Sequence, residues 1–187
     1  MYFFKSSDSI IISDIDGTVT KSDMRGHFYS SMKKDYTHPG CSKLFTKFEK
    51  YGYKMIYLTA RPVSMVKATK RYIGAIDQDG YKMPDFPIIT SPNKSAHAFI
   101  REVLIREPHT FKINILNTIS NLFDHPFCGG FGNRVTDDIS YSSVGISPKQ
   151  IFRINKKSII ENEESKKTYE TYTELEKEID IYFPKIN

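Results

Sequence analysis

The 187-residue sequence predicts an α/β protein with a doubly wound, mainly parallel sheet. Two apolar runs, residues 9–14 and 53–59, are typical of buried parallel strands because their apolar side chains are continuous rather than alternating. Between them lies a stretch with helical character, residues 42–51, which ends at Gly52 in the C-cap position. A strand, a helix and a second strand in this order form the repeating unit of doubly wound sheets.

The later elements continue this alternation. Pro62 suits the first turn of a helix, and apolar residues then recur at helical spacing as far as Gly74. We expect further strands at residues 86–90, 127–132, 144–146 and 150–154, and further helices at about 96–105 and 111–123. The charged stretch 156–171 is predicted to be a mobile polar loop or a solvated hairpin without a catalytic role, and residues 172–183 a terminal helix. All of these elements belong to one predicted domain, residues 1–187.

Composition and charge narrow the classes of function. The formal net charge of +5 favours an anionic partner, which includes nucleic acid, an acidic membrane surface and a phosphorylated substrate. The basic residues are scattered and form no motif with interleaved aromatic residues, so nucleic-acid binding is not predicted. No stretch reaches the roughly 20 apolar residues that cross a bilayer, so we expect any membrane contact to be peripheral.

Cysteine and histidine usage points to neither a disulfide framework nor a histidine metal site. The two cysteines, Cys41 and Cys128, show no paired metal-ligand spacing and favour an intracellular protein. The five histidines show no ligand spacing either. His38 precedes Pro39 and Gly40, where formation of a turn is a sufficient explanation.

The strongest chemical signal directly follows the first predicted strand. Asp14 and Asp16 alternate along an extended end, so their carboxylates point the same way, and Gly17 lets the loop turn beside a bound phosphate. Two acids at the carboxyl end of a strand can hold Mg²⁺, which prefers oxygen ligands. Asp14 is the candidate nucleophile and Asp16 the candidate general acid and base. The alternative is a loop in which the two aspartates only cap a turn.

Residues 14–18, Asp-Ile-Asp-Gly-Thr, resemble the first motif of the haloacid dehalogenase superfamily. The wider segment 13–23 resembles the lipin phosphatidic acid phosphatases. Four further segments resemble lipins in the same order, and these are residues 35–40, 52–61, 111–113 and 131–134. The resemblance covers most of the chain, from about residue 2 to residue 154. It implies a Rossmann-like haloacid dehalogenase fold and a phosphatase that forms an aspartyl-phosphate.

The same resemblance implies roles for further residues. Thr59 matches the second motif, whose hydroxyl binds the transferring phosphoryl group, and Lys112 matches the third-motif lysine, which pairs with the nucleophile and the phosphate. Gly17, Thr18 and Ala60 are then expected to join Thr59 and Lys112 in binding the phosphate. From the residues alone, Thr59 is an ordinary threonine at a strand end and Lys112 an ordinary solvated helix lysine.

A fourth motif is implied after the predicted strand 127–132. Asn133 and Asp137 are expected to complete the Mg²⁺ site together with Asp14 and Asp16. Asp138, beside Asp137, leaves the register of this motif open by one residue. The alternative is a polar turn that only caps the following helix.

The spacing between the first two motifs bears on the substrate. About forty residues separate the first motif from Thr59, and one crossover uses most of them, so we expect little or no cap domain. An open site suits a bulky substrate whose phosphate is presented at a surface. The resemblance to lipins then implies phosphatidic acid in a membrane surface as the substrate and Mg²⁺ as the cofactor. It also implies a cytoplasmic enzyme, peripherally associated with the endoplasmic reticulum or nuclear membrane. The amino-terminal region of lipins, with its amphipathic membrane-binding helix, has no counterpart in these residues.

Two alternative functions stay open. The first is a non-catalytic phosphatidic acid-binding module, because lipin-like domains of some phosphatidylinositol-transfer proteins resemble this sequence but lack the catalytic acids. The presence of both Asp14 and Asp16 favours an enzyme. The second is a phosphatase of the same superfamily that acts on a soluble metabolite or a phosphoprotein, since the motifs define the reaction better than the substrate.

Overall fold

The structure is a computed structural model that describes residues 1–21, 36–91 and 108–186. Its strands are β1 Ile10–Ser13, β2 Lys54–Pro62, β3 Asp77–Gln78, β4 Tyr81–Lys82, β5 Ile88–Ser91, β6 Phe127–Gly132, β7 Ile151–Ile154, β8 Ile160–Asn162 and β9 Thr168–Tyr169. Its α-helices are α1 Cys41–Lys50, α2 Val66–Ala75, α3 Pro108–Ser120, α4 Val135–Ser143 and α5 Tyr172–Glu178. Short 3₁₀ helices span Val63–Met65, Pro148–Gln150 and Ile179–Ile181.

Seven of the strands form one sheet in the order β5-β2-β1-β6-β7-β8-β9. The strands from β5 to β7 pair in parallel, and β8 and β9 extend the sheet in antiparallel pairing. The two remaining strands, β3 and β4, form a separate antiparallel hairpin. The prediction of a doubly wound, mainly parallel α/β sheet is confirmed.

Both faces of the central sheet are buried, and β1 shows why its sequence is continuously apolar. Ile11 lies in a core cluster with Phe45 of α1, on one face. Ile10 and Ile12 lie in a second cluster with Leu116 of α3, on the other face. Successive side chains of a strand point to opposite faces, so three isoleucines in a row supply both cores. Burial of each such side chain stabilises the fold by about 1.5–3 kcal/mol.

The order of the strands determines where a site can form. After β1 the chain crosses to β2 and β5 on one side, whereas β6 and β7 lie on the other side of β1. The loops after β1, β2 and β6 therefore leave the sheet at its carboxyl edge beside one another. This topological switch point is where ligands bind in open α/β sheets.

Three predicted elements differ from the structure. Residues 144–146 were expected to form a strand, but Val144 and Gly145 end α4, and Gly145 adopts a φ of 86°. The second apolar run continues to Pro62, so Thr59 lies inside β2. Pro62 was expected in the first turn of a helix. It is instead the extended last residue of β2, with φ −68° and ψ 155°, and a 3₁₀ turn separates it from α2. An apolar pattern marks the buried part of an element better than its ends.

For the polar stretch 156–171 a mobile loop or a solvated hairpin was predicted, and the structure has the hairpin: β8 and β9 pair in antiparallel fashion and belong to the main sheet. Ile160 and Tyr169 are buried there. Asn162 is fully buried, and its side-chain amide donates hydrogen bonds to the carbonyl oxygens of Lys149 and Ile151. The polar composition of this segment therefore does not reveal its two short strands, whose alternate side chains point into the protein.

Two further expectations concern residues that the structure does not describe. The predicted helix at about 96–105 lies outside the described residues. Residues 22–35, between the first motif and α1, also lie outside them, so the expectation of little or no cap domain stays a prediction. Within the described ranges, no helix combines the length and the apolar character needed to cross a membrane.

Candidate active site

Asp14 lies immediately after β1, where its backbone N–H donates to the carbonyl oxygen of Phe131 in β6, at 2.9 Å. Its carboxylate is buried and accepts a hydrogen bond from Lys112 Nζ of α3, at 2.6 Å. The same ammonium donates to Asp137 Oδ1 of α4, also at 2.6 Å. Three charged side chains from three different elements thus meet at the carboxyl edge of the sheet.

Asp137 is held by the start of its own helix. Its Oδ2 accepts hydrogen bonds from the backbone N–H groups of Asn133 and Arg134, at 3.0 and 3.1 Å. A Cβ atom on Gly132 would lie 2.4 Å from the Cβ of Asp137, so a glycine is needed where β6 ends. Asp138 makes a different contact, because its Oδ2 accepts from Arg153 at 2.6 Å. The structure thus places Asp137 beside Lys112, while Asp138 pairs with β7.

Asn133 joins the fourth predicted motif to the first. Gly17 has a φ of 92°, and a Cβ atom there would lie 2.0 Å from Nδ2 of Asn133. A side chain at residue 17 would therefore displace Asn133 from the loop, besides straining the backbone. Thr18, also in this loop, is buried, and its hydroxyl lies 3.4 Å from Asp14 Oδ2.

Asp16 lies against β2 and is held by a residue to which the sequence assigned no role. Arg61 Nε donates to Asp16 Oδ2 at 3.0 Å, and Arg61 Nη2 donates to Asp16 Oδ1 at 2.7 Å. Thr59 Oγ1 donates to Asp16 Oδ2, also at 3.0 Å. Arg61 is itself buried and anchored on α2, where its Nη1 donates to the hydroxyl of Thr69 at 3.0 Å. Ala60 lies between Thr59 and Arg61 in the same strand.

The family model of LNS2 (Lipin/Ned1/Smp2) matches residues 1–184. The chain belongs to this family. Among its curated relatives, Nuclear elongation and deformation protein 1 of Schizosaccharomyces pombe is 41% identical over 193 residues, which cover 100% of this chain and 29% of that protein. Phosphatidic acid phosphohydrolase 1 of Saccharomyces cerevisiae is 39% identical, over 95% of this chain and 22% of that protein. Phosphatidate phosphatase LPIN1 of Homo sapiens is 38% identical, over 98% of this chain and 21% of that protein.

This LNS2 chain therefore spans between 21 and 29% of the length of these three relatives. Among solved structures, a chain of the Pnkp1/Rnl/Hen1 RNA repair complex superimposes with a TM-score of 0.55 at 16% identity. The match covers 83% of this chain and 45% of that one. At this level of identity the likeness shows a shared fold alone. The resemblance to lipins that the sequence indicated is confirmed at the level of the family.

Burial and neighbouring charges shift the pKa values of Asp14 and Lys112 in the LNS2 site. Burial raises the pKa of the Asp14 carboxyl above its usual range; the Lys112 ammonium opposes this rise, and Asp137 and Asp16 add to it. Burial lowers the pKa of Lys112, but the charges of Asp137 and Asp14 outweigh it, so that this pKa is raised. The ammonium is therefore a permanent positive charge between two carboxylates.

The side chains around Asp14 include oxygen donors of the kind that Mg²⁺ prefers. Among the described residues, no group of three or more His, Cys, Asp or Glu side chains is arranged to hold a metal ion. Mg²⁺ usually keeps several waters and takes one or two carboxylates together with substrate phosphate. Asp14 and the side-chain oxygen of Asn133 would suit that smaller set as oxygen ligands. In the part of the chain that the structure describes, the buried carboxylates of Asp14 and Asp137 share the single ammonium group of Lys112, so a cation would neutralise the remaining charge. The hydrogen bonds at Asp16 and Asp137 hold both carboxylates to protein groups, so their predicted roles as metal ligands stay predictions.

Sequence reasoning missed two buried residues at this site. Arg61 lies in a lipin-like segment, but no role was predicted for it. The sequence feature that could have indicated a role is a positively charged residue directly after the second motif. His38, for which a turn was a sufficient explanation, is fully buried behind the first motif. Its Nε2 lies 3.2 Å from the carbonyl oxygen of Gly17, and its Nδ1 lies 2.9 Å from the hydroxyl of Ser158. Burial lowers the pKa of His38 to about 4, so the ring is neutral at physiological pH.

Proposed function

We propose that this LNS2 domain is a magnesium-dependent phosphatidate phosphatase that works through an aspartyl-phosphate. The observation that carries the proposal is the buried contact of Asp14 with Lys112 and Asp137 at the switch point of the sheet. A carboxylate fixed beside a permanent cation suits attack on a phosphorus atom, because the cation stabilises charge on the transferring group. Relatives named phosphatidate phosphatase or phosphatidic acid phosphohydrolase support phosphatidic acid as the substrate.

In the first step, an oxygen of Asp14 forms a bond to phosphorus while the bond from phosphorus to the diacylglycerol oxygen breaks. Asp16 gives its proton to that leaving oxygen. In the second step, Asp16 takes a proton from water, the water oxygen bonds to phosphorus, and the bond to Asp14 breaks, which releases inorganic phosphate. Asp14 and Asn133 would hold Mg²⁺, which would supply positive charge to neutralise the phosphate. Lys112 and Asp137 keep the Asp14 carboxylate in place throughout.

Asp16 has to exchange partners during this cycle. Arg61 donates to both of its carboxylate oxygens, and a protonated carboxyl group needs one oxygen as a donor. One hydrogen bond from Arg61 therefore opens when Asp16 carries the proton, at the oxygen that meets the leaving group. Thr59 would exchange its bond to Asp16 for the phosphoryl group in the same way.

The proposal includes a phosphatidic acid substrate in a membrane surface, reached by peripheral association with the endoplasmic reticulum or nuclear membrane. The formal charge of +5 supports attraction to anionic lipid, which salt screens. A soluble phosphoester or a phosphoprotein as the substrate, and lipid binding without catalysis, are the competing outcomes of the test.

The test measures Mg²⁺-dependent phosphate release from phosphatidic acid in mixed micelles and from soluble phosphoesters. Asp14→Asn and Asp16→Asn are the variants, since both keep the size of the side chain. We expect Asp14→Asn to abolish release and Asp16→Asn to lower kcat by about 10²–10⁴-fold. Asp180→Asn is the control, because Asp180 is an exposed carboxylate that pairs with Lys47 on the surface.

Each result separates the competing functions. Faster release from soluble compounds would overturn the lipid substrate and leave the aspartyl-phosphate mechanism in place. Binding to phosphatidic acid vesicles by a folded protein that releases no phosphate would replace the enzyme with a binding module. Trapping of a phosphorylated Asp14 by acid quench and mass spectrometry tests the intermediate directly.

A further inference from the structure

The first motif forms a turn whose internal hydrogen bonds leave two carbonyl groups for other partners. The backbone N–H groups of Thr18, Val19 and Thr20 all donate to the carbonyl oxygen of Ile15, at 3.0–3.3 Å. The N–H of Gly17 donates to the hydroxyl of Thr20, at 3.2 Å. The carbonyl groups of Gly17 and Thr18 bond outside the turn, to segments far away in the sequence.

His38 bonds to the first of these carbonyl groups through a ring whose tautomer the geometry determines. A carbonyl oxygen only accepts, so His38 Nε2–H donates to Gly17. In the neutral ring Nδ1 is then an acceptor, and the hydroxyl of Ser158 donates to it. The backbone of His38 is held as well, because its N–H donates to Val19 and its carbonyl oxygen accepts from the side-chain amide of Gln78.

Ser158 supplies its hydroxyl from a strained backbone position. It lies in the turn between β7 and β8 with a φ of 70°, a region that disfavours residues with a Cβ atom. The turn is built around Asn155, whose side-chain oxygen accepts from the backbone N–H groups of Lys157 and Ile159. A non-glycine residue that is buried in this conformation indicates that its side chain has a function there.

Tyr172, at the start of α5, bonds to the second carbonyl group. It is fully buried, and its hydroxyl donates to the carbonyl oxygen of Thr18 at 3.1 Å. Its ring also packs edge-to-face on the ring of His38, with 6.4 Å between the centroids. Two residues from the carboxyl-terminal part of the chain, Ser158 and Tyr172, thus reach the back of the first motif, one of them through His38.

We propose that His38, Ser158 and Tyr172 are positioning residues, which hold the turn of the first motif so that Asp14, Asp16 and Thr18 keep their geometry toward the phosphoryl group. This inference rests on the proposed function for its chemistry. It gives the hairpin of β7 and β8, and α5, a part in catalysis through their contacts with His38 and with the backbone of the first motif.

The experiment compares substitutions that remove one or both of these hydrogen bonds and replace each side chain with an apolar one that keeps the site filled. Tyr172→Phe and Ser158→Ala remove single hydroxyl groups, and His38→Leu removes both ring contacts. Tyr53→Phe is the matched control, since Tyr53 is also buried and donates its hydroxyl to a backbone carbonyl, that of Pro184, at 2.7 Å. We expect kcat to fall about tenfold or more in the three variants while KM changes less than about twofold.

A conservative substitution separates positioning from a general loss of packing. His38→Gln places an N–H donor near the position of Nε2, so we expect it to recover most of the rate that His38→Leu loses. Thermal denaturation of every variant reports stability alongside the rates. Equal loss of kcat in Tyr53→Phe and Tyr172→Phe at equal loss of stability would overturn the inference.

Amide hydrogen exchange provides a readout that needs no substrate. We expect the amides of residues 18–20 to exchange faster in Tyr172→Phe and Ser158→Ala than in the wild type, and to be unchanged in Tyr53→Phe. If the wild type releases no phosphate but these amides respond, the proposed function fails and the positioning role stands. If neither kcat nor the exchange of these amides changes, the positioning role is wrong.

Discussion

Arg61 is the residue that determines which way Asp16 points. Its guanidinium group uses three nitrogens, two on Asp16 and one on the hydroxyl of Thr69, so that α2 and the first motif are held together. A planar fork of this kind fixes the direction of a carboxylate, which the single ammonium group of a lysine does not. Without Arg61, the hydrogen bond that Thr59 donates to Oδ2 would be a much weaker constraint on the orientation of Asp16.

This geometry predicts the effect of Arg61→Lys. The substitution keeps the positive charge but loses the paired contact, so we expect kcat to fall about tenfold while KM stays within about twofold. Steady-state kinetics with phosphatidic acid micelles measures both values.

Arg153→Lys is the matched control for this prediction. Arg153 of β7 likewise bonds to two acidic side chains, Asp138 of α4 at 2.6 Å and Glu161 of β8 at 3.0 Å, but it has no contact with Asp16 among those described. We expect Arg153→Lys to leave kcat within about twofold of the wild type. A similar loss of kcat in both variants would show that Arg61 acts only through stability.

At the scale of single residues, the sequence indicated the proposed reacting groups better than the residues that hold them in place. Asp14, Asp16 and Lys112 lie in short motifs whose residue types match a known chemistry, and the structure brings Asp14 and Lys112 together. Arg61 and His38 also lie in lipin-like segments, but burial decides their roles, and a sequence of polar residues does not show burial. The same limit left the register of the predicted Asp137 open by one residue, and the structure shows different contacts for it and Asp138 at the start of α4.

At the scale of secondary structure, the packing of α4 on β6 depends on glycine. Gly130 lies in β6, and a Cβ atom there would lie 2.4 Å from Cδ2 of the buried Tyr141 in α4. Tyr141 also donates its hydroxyl to the carbonyl oxygen of Phe131, at 2.9 Å. Because Asp137 belongs to α4 as well, the close approach of this helix to the sheet sets the position of a site residue.

Gly130→Ala is therefore expected to lower the free energy of unfolding by about 1–3 kcal/mol, since the added methyl group overpacks the interface. It should also lower kcat, because a displaced α4 moves Asp137 away from Lys112. Urea denaturation measures the first effect and phosphate release the second.

Gly74→Ala is the same chemical change, but we expect it to raise the free energy of unfolding. Gly74 lies in α2, and a Cβ atom there meets nothing within 4 Å. Alanine is the better helix former, so we expect a gain of about 0.5–1 kcal/mol in the free energy of unfolding. Destabilisation by both substitutions to the same extent would contradict the role given to the contact with Tyr141.

The buried elements of secondary structure were predicted better than the exposed ones. The strands β1, β2 and β6 were predicted because long apolar runs mark strands that are covered on both faces. Strands β8 and β9 were predicted only as the hairpin alternative to a mobile loop, because two or three residues at a sheet edge, interrupted by charged side chains, carry too little periodic signal to decide. The predicted strand at 144–146 had an apolar pair, Val144 and Ile146, that packs at the end of a helix instead.

At the scale of the whole molecule, the site depends on segments from one end of the chain to the other. The ends of β1, β2 and β6 lie beside one another at the carboxyl edge of the sheet. The first motif also forms hydrogen bonds with residues 38 and 172. The general position of a site at this edge follows from parallel topology and was predictable. The support from the carboxyl-terminal elements was not, because contacts over more than 100 residues leave no local pattern.

This dependence predicts how the stability of the molecule changes with pH. The pKa of His38 is about 4 in the folded protein, because the ring is buried, and its ordinary value is 6.5. Between these values the unfolded chain binds a proton that the folded protein does not, so stability falls as the pH falls below about 6.5 and levels off near pH 4. One pKa unit corresponds to about 1.4 kcal/mol, so acidification from pH 7.5 to pH 5 should cost about 2 kcal/mol through His38 alone.

His38→Gln isolates this contribution, because glutamine does not titrate and retains a donor for Gly17. Urea denaturation at pH 7.5 and pH 5 gives the free energies of unfolding of both proteins. We expect the wild type to lose about 2 kcal/mol more than the variant over this interval, so that the two stabilities converge as the pH falls. An equal loss in both proteins would contradict the prediction, because it would mean that the folded protein binds a proton at His38 as readily as the unfolded chain does.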